Sequence, residues 1–241
     1  MIQYSMQLDD IRIILCNVSE SGNVGAVCRA MKNMGLSHLR LAFTQSLKLE
    51  EIYTRAVNSR DIWENARTYD TLAEAVSDCS IVIGTTRRRG HYRKNVSMTP
   101  GNLASWLANR EGSAAVVFGN ERTGLEDKEL ELCNFASHIP VSENQPSLNL
   151  SHAVQIYAYE FFLAMEERHP VKGEWTAMSQ IEISALVSLI TDTLAGIGFY
   201  KLSGKEEQTR FLQDIISRAG MSEREGKYFK DILIKAARMK K

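Results

Sequence analysis

The chain has 241 residues, 44% hydrophobic and 24% charged, and its 29 basic side chains balance its 29 acidic ones. That composition predicts an ordinary globular protein long enough for one large domain and a small appendage, and it excludes a collagenous, low-complexity or disordered chain. Zero net charge argues against a protein that coats nucleic acid through bulk charge, so any RNA-binding reading must rest on a local cluster. The polar start Met1–Asp10 lacks the pattern of a secretory signal, and no apolar run approaches the roughly 18–20 residues of a membrane span; a cytoplasmic protein without a membrane partner is expected.

Short apolar, β-rich runs alternate with helical patterns from residue 11 to about 165. Ile11–Cys16, His38–Phe43, Ile81–Gly84, Ala114–Phe118 and Phe135–Ile139 read as strands. Alternation of this kind predicts an α/β domain with a largely parallel sheet. Thr71-Leu-Ala-Glu74 is a capping box that starts a helix, and Pro100 suits an early helical position, where its missing N–H costs nothing. After the last strand, Leu150, Ala153, Val154, Tyr157, Ala158, Phe161 and Met165 recur at helical spacing and predict one buried stripe. The segment Arg168–Glu174 combines Pro, Gly and charges, which divides the chain into a domain over 1–167, a linker over 168–175 and a tail over 176–241. The tail has no strand-like run. Capping boxes at Ser179–Glu182 and Ser222–Glu225, with Gly-containing breaks at 196–204 and 220, predict a small helical unit.

The four cysteines, Cys16, Cys28, Cys79 and Cys133, form no C-x-x-C pair and have no histidines at zinc-ligand spacing. Buried reduced thiols and no metal are expected. An open α/β sheet binds ligands beyond the carboxyl ends of its strands, so the segments after each strand are where chemistry should lie. Neither a G-x-G-x-x-G nor a G-x-x-x-x-G-K-[ST] phosphate cradle follows any of them, and a G-x-S-x-G nucleophile elbow is absent too. His152 lies near Ser147 and Ser151, but without an acidic partner a catalytic dyad is the weaker reading.

Three post-strand segments are unusual: Asn17–Gly25 with the following helix that contains Arg29, Gly119–Leu125, and Pro140–Leu150. In and around them run Asn23-Val-Gly-Ala-Val-Cys-Arg29-Ala-Met, Val117-Phe-Gly-Asn-Glu-Arg-Thr-Gly124 and Ser147-Leu-Asn-Leu-Ser-His-Ala153. Together and in this order they resemble the three motifs of the SPOUT RNA methyltransferases over about residues 9–165, and the first motif with the C-terminal helical extension looks most like the TrmJ-type branch. The resemblance implies a deep trefoil knot in the sheet domain, a feature too rare among folds for periodicity to reveal. It also implies a homodimer, S-adenosylmethionine (SAM) as cofactor with S-adenosylhomocysteine as product, and 2′-O-methylation of a cytidine or uridine ribose at the 5′ edge of the tRNA anticodon loop. No DNA partner is expected. A ribosomal RNA or another tRNA site remains the rival substrate, and a non-catalytic RNA-binding protein of this fold the rival class.

By this resemblance Arg29 matches the arginine that activates the ribose 2′-hydroxyl. A guanidinium keeps its proton in proteins, so Arg29 is read as a cation that stabilises the developing alkoxide and grips the adjacent phosphate. Asn23 is read as a cap of the helix that carries Arg29. Ser147 and Asn149 are expected to bond the ribose or to hold the cofactor loop, and Glu121 either to fix its loop through backbone N–H groups or to act in the chemistry. The resemblance assigns the adenosine of the cofactor to backbone groups of Thr85, Thr86, Arg87, Gly119, Ile139, Pro146, Ser147 and Leu148. Gly119 is expected to leave room for the ligand, and Ile139 and Leu148 to sandwich the adenine. Pro146 departs from the small polar residues at home there and removes a donor. Finally, Arg87-Arg-Arg-Gly-His-Tyr-Arg-Lys94 is basic at almost every position; Arg88, Arg89, Arg93 and Lys94 are expected to bind RNA phosphates.

Overall fold

A computed structural model of the chain describes residues 5–43, 46–86, 97–144, 147–166, 176–200 and 204–238. Seven strands, β1 (Ile11–Cys16), β2 (His38–Ala42), β3 (Arg67–Tyr69), β4 (Ile81–Thr85), β5 (Ser97–Met98), β6 (Ala114–Phe118) and β7 (Phe135–Ser137), form one sheet in the order β3-β2-β1-β6-β4-β7-β5. Every pairing is parallel. Between the strands lie α1 (Ser21–Asn33), α2 (Leu49–Ala56), α3 (Arg60–Glu64), α4 (Leu72–Val76), α5 (Pro100–Leu107) and α6 (Asp127–Glu131), and α7 (Leu150–Glu166) follows the last strand. Among the described residues the α/β architecture expected from the sequence is present, with two short strands added to the five apolar runs.

Side chains alternate across the sheet with the period of two that a strand imposes. Ile11, Ile13 and Leu15 of β1 join the larger core cluster beneath α1, α2, α5 and α7, while Ile14 and Cys16 join the smaller one beneath α4 and α6. Covering on both faces is why the central strands read as unbroken apolar runs. In α7 the expected stripe is buried at Leu150, Val154, Tyr157, Ala158, Phe161 and Met165 and half-buried at Ala153. The cysteines are buried free thiols; burial pushes Cys28 and Cys79 up to about 12.

The tail packs α8 (Gln180–Gly196), α9 (Lys205–Ala219) and α10 (Glu223–Arg238) around its own apolar cluster of Met178, Ile183, Leu186, Val187, Ile190 and Ile216. Both expected capping boxes form: Ser179 Oγ accepts from Glu182 N, and Ser222 Oγ from Glu225 N at 3.2 Å. Gln180 docks this unit on the sheet domain. Its Nε2 donates to Ser80 O at 2.9 Å and to Asn134 Oδ1 at 2.7 Å, and its backbone N donates to Cys79 O. Ser80 and Asn134 immediately precede β4 and β7, so the tail sits at the amino ends of the strands. The proposed linker falls on residues outside the description, between the end of α7 and Thr176.

Among the described residues, two charged side chains are buried in the sheet domain, Glu129 and Arg40. Arg40, on β2, is 7% exposed, and its guanidinium donates to both oxygens of Asp78 (2.6 and 2.8 Å) and to Ala75 O. That geometry holds the Asp78 carboxyl at about 2, against an ordinary 3.8. The folded-state value is the lower one, so the pair contributes its full stabilisation above about pH 4 and loses it as pH falls toward 2. Asp78 is itself 56% exposed and solvent screens the pair. Asp78→Asn should therefore cost about 1–3 kcal/mol, the range for hydrogen bonds to a charged group, and should remove part of the acid sensitivity below pH 4. Urea denaturation of both proteins at pH 7 and pH 3 checks this; an equal difference at both pH values would contradict it.

Candidate active site

At the carboxyl ends of β4, β6 and β7 the chain encloses a cleft of about 220 Å³. Its apolar lining includes Phe118, Leu125, Ile139, Leu148, Leu150 and Tyr157, and Thr85, Thr86, Asn120, Glu121, Arg122 and Ser147 give it polar groups. Tyr157 meets Phe118 edge to face at 5.4 Å, and its hydroxyl donates to Ser137 Oγ at 2.8 Å, which fixes the floor of the cleft from α7. Burial pushes the Tyr157 hydroxyl well above its ordinary value, so it stays a neutral donor.

The three unusual segments meet at the cleft through Glu121. Its Oε2 accepts from the backbone N and the hydroxyl of Ser19 (3.2 and 3.1 Å), and its Oε1 from Glu20 N and Asn23 Nδ2 (both 3.1 Å). Asn23 Oδ1 in turn accepts from Asn149 Nδ2 at 2.9 Å, and Asn149 Oδ1 accepts from the backbone N and hydroxyl of Ser151 in the first turn of α7. Beside this relay, Asn120 Nδ2 donates to Asn17 O at 2.7 Å. Burial, the largest influence on Glu121, works against its ionisation, but the donors from Asn23, Ser19 and Glu20 outweigh it and hold the carboxyl below its ordinary value. A charged acceptor at the start of α1 also suits the positive end of the helix dipole.

These contacts revise two of the expected roles and leave the weaker dyad reading without support. Asn23 is not the cap of α1: the helix begins at Ser21, Asn23 is its third residue, and its amide is spent on Glu121 and Asn149. Glu121, about a hundred residues away in sequence, binds the backbone N–H groups of Ser19 and Glu20 just before the helix and the side chain of Asn23 within it. Gly119 does not leave room for a ligand; a Cβ there would stand 2.2 Å from Gly124 C and 2.3 Å from Leu125 N, so the space belongs to the loop itself. Nor is there a serine–histidine dyad, since the Ser151 hydroxyl is bonded to Asn149 and exposed His152 has no hydrogen bond among the described residues.

Of the residues assigned to the cofactor, Thr85, Thr86, Gly119, Ile139, Ser147 and Leu148 all line the one cleft, while Arg87 and Pro146 lie outside the described residues. Arg88, Arg89, Arg93 and Lys94 lie outside them too. Arg29 is described and is not in the cleft. It is exposed on α1, six residues beyond Asn23, which places it about 9 Å along the axis and some 240° round the helix from the residue that faces Glu121. Arg122 and Asn120, within the second motif but given no role from the sequence, do reach the cleft. Among the described residues no three His, Cys, Asp or Glu side chains group as a metal site, and no helix is long and apolar enough to cross a membrane.

In a parallel α/β sheet, a cleft at the carboxyl edge ringed by loops is where a ligand is held, here without a phosphate cradle. Residues 10–159, more than half of the chain, match the family described as SpoU rRNA Methylase. The chain belongs to that family and is a methyltransferase. It is similar to a Pseudomonas aeruginosa tRNA (cytidine/uridine/adenosine-2′-O-)-methyltransferase TrmJ, at 35% identity over 94% of this chain and 93% of the relative. The tRNA (cytidine-2′-O-)-methyltransferase TrmJ of Methanocaldococcus jannaschii is 41% identical over 63% of this chain and 67% of its own length. Among solved structures, TrmJ from Z. mobilis ZM4 superposes with a TM-score of 0.75 at 28% identity, covering 93% of this chain and 98% of that one.

Because Gly119 is demanded by the loop and not by a ligand, Gly119→Ala should lower stability by about 1–3 kcal/mol, the usual cost of forcing extra volume into a packed site. The loss should be the same with and without cofactor. Thermal denaturation of the cofactor-free protein decides the point: an unchanged midpoint would return the space to the ligand.

Proposed function

We propose that this methyltransferase transfers a methyl group from SAM to a ribose 2′-hydroxyl of tRNA, in the anticodon loop at a cytidine or uridine on its 5′ edge. The observation that carries the reading is the convergence of Thr85, Thr86, Gly119, Ile139, Ser147 and Leu148, from four separate segments, on one cleft. The cleft suits SAM chemically, because Ile139, Leu148 and Leu150 offer apolar surface for an adenine, and Thr86 and Ser147 add polar residues to its lining. When bound, SAM supplies an activated methyl group on a sulfonium that needs no acid to leave. Support for tRNA over ribosomal RNA comes from extent. The family match ends at residue 159, whereas the P. aeruginosa tRNA enzyme is similar along 94% of the chain, helical tail included. Nucleoside mass spectrometry after incubation with SAM and either RNA tests the choice; methyl groups gained only by ribosomal RNA would overturn it.

The chain's own task is to make a poor nucleophile react. A guanidinium beside the ribose stabilises the alkoxide that forms as the 2′-hydroxyl loses its proton, and Arg29 is assigned that role. Its place on the exposed side of α1, off the cleft of its own chain, is accounted for if the protein works as a homodimer in which a second copy presents α1 to this cleft. Ser147, exposed at the cleft and free of hydrogen bonds among the described residues, is assigned to the ribose. Arg88, Arg89, Arg93 and Lys94 are assigned to tRNA phosphates, and the backbones of Arg87 and Pro146 to the cofactor loop. The trefoil knot and a cytoplasmic place of action belong to the same reading, and rest on the family likeness alone.

Arg29→Ala should abolish methyl transfer and leave SAM affinity and the melting midpoint unchanged. Leu148→Arg, which places a cation in the slot of a cationic cofactor, should also abolish activity, by loss of SAM binding. Refolding the two inactive chains together should restore methylation, because mixed dimers contain one intact site; persistent inactivity of the mixture would assign Arg29 to its own subunit.

Each phosphate neutralised by Lys or Arg lowers the slope of log affinity against log salt by about 0.7–0.9. Replacing Arg88, Arg89, Arg93 and Lys94 together by Gln should flatten that slope for tRNA by roughly two units, as expected for two or three contacts. SAM affinity should not change. Coincident slopes for variant and wild type would reduce the segment to a solvated loop.

A further inference from the structure

Two adjacent strands end at the carboxyl edge of the sheet in residues with positive φ: Asn17 after β1 (φ 56°) and Phe43 after β2 (φ 54°). Asparagine tolerates the left-handed region, but a bulky side chain there is strained. The backbone holds Phe43 in place, since its N–H donates to Tyr69 O at 3.3 Å and the preceding Ala42 O accepts from Asn17 N at 2.8 Å. Packing does not compensate for the strain. Phe43 is 46% exposed and belongs to neither core cluster of the sheet domain. A large aromatic ring that is both strained and half in water contributes little to folding, and such outliers gather where a protein meets its ligand.

The position is close to the active cleft. Strand order runs β2-β1-β6, and Asn17 O accepts from Asn120 Nδ2 of the loop that follows β6. Two strand spacings, about 10 Å, therefore separate the end of β2 from that loop. A cationic side chain reaches the first turns of α1, the helix that follows β1. Lys48 N donates to Ser21 Oγ at 2.9 Å, which brings α2 across the first turns of α1, and the stem of Arg55 lies over Gly22 and Gly25. Arg55 is exposed and forms no ion pair among the described residues.

We propose that Phe43 is a stacking platform for an unpaired nucleobase of the RNA substrate, one that flanks the methylated nucleotide, with Arg55 attracting the adjoining backbone. The inference rests on the RNA-methyltransferase reading above and extends its RNA site from the cleft to the end of β2. Single-stranded RNA is held by aromatic faces on which bases stack and by nearby cations that follow the phosphates. Stacking needs only one exposed ring, whereas a protein partner needs a contiguous apolar patch of several hundred Å².

Two variants test it with unmodified tRNA transcripts as the probe. Phe43→Asn places a residue suited to positive φ, so the melting midpoint should hold or rise and SAM affinity should be unchanged. Its affinity for tRNA should fall roughly five- to a hundred-fold, the range for loss of one base–aromatic stack. Phe43→Trp should keep tRNA affinity, and its added emission, read against the three native tryptophans, should be quenched by tRNA and not by SAM. The inference is overturned if Phe43→Asn binds tRNA as tightly as wild type, if its loss follows a fall in melting midpoint, if the new emission ignores tRNA, or if the oligomeric state changes instead. Wild type that binds and methylates tRNA beside an equally competent Phe43→Asn would remove this inference alone. Wild type that binds no tRNA would remove the parent reading and this inference with it.

Discussion

A single carboxylate ties the site together. Glu121 leaves the loop after β6 and accepts four hydrogen bonds from the chain just before α1 and from Asn23 within it; through Asn23 the connection continues to Asn149 and the start of α7. Three loops that are far apart in sequence, each carrying polar backbone that a packed core could not satisfy, are thereby fixed to one another. The arrangement favours a scaffolding role for Glu121. A general base needs a free lone pair and a pKa near the working pH. Glu121 has its oxygens engaged by donors and a carboxyl held below the ordinary value, an environment that suits an anion tying loops together.

The parallel sheet makes this convergence possible. All strand carboxyl ends lie on one edge, so the segments after β1, β6 and β7 emerge side by side whatever their separation along the chain. The same geometry sends the helical tail elsewhere. Gln180 joins it to the residues before β4 and β7, and a strand of five residues rises about 16 Å; within one chain the tail therefore stands a strand's length from the cleft.

How legible each feature was in the sequence follows from how local its cause is. Central strands were plain because covering on both faces demands continuous apolar runs, as in Ala114–Phe118, and α7 was plain because its stripe repeats at helical spacing. The edge strands Arg67–Tyr69 and Ser97–Met98 are too short and polar to leave a run. Asn23 was misread because caps are sought within a turn of the helix start, while the partner that takes its amide, Glu121, lies about a hundred residues downstream. Gly119 marked a close approach correctly, but a glycine cannot say whether the approaching atoms belong to a ligand or, as here, to Gly124 and Leu125. Six of the residues assigned to the cofactor do share one cleft, which only the family likeness, not periodicity, could have indicated.

Separating scaffold from chemistry within the motifs narrows the reacting groups. Gly25 is where α2 crosses α1, since a Cβ there would meet Ile52 O at 2.2 Å; Gly119 and Gly124 close the loop after β6; Asn23, Glu121 and Asn149 spend their polar atoms on one another and on helix starts. Each of these has at least part of its bonding capacity committed to the scaffold. What remains of the three motifs includes Arg29, Arg122, Ser147 and His152, all exposed and without side-chain hydrogen bonds or ion pairs among the described residues. Two are permanent cations, one is a hydroxyl and one an imidazole, a set whose cations are able to bind phosphate and stabilise an alkoxide. On the proposed reading, transfer is promoted by charge stabilisation and positioning.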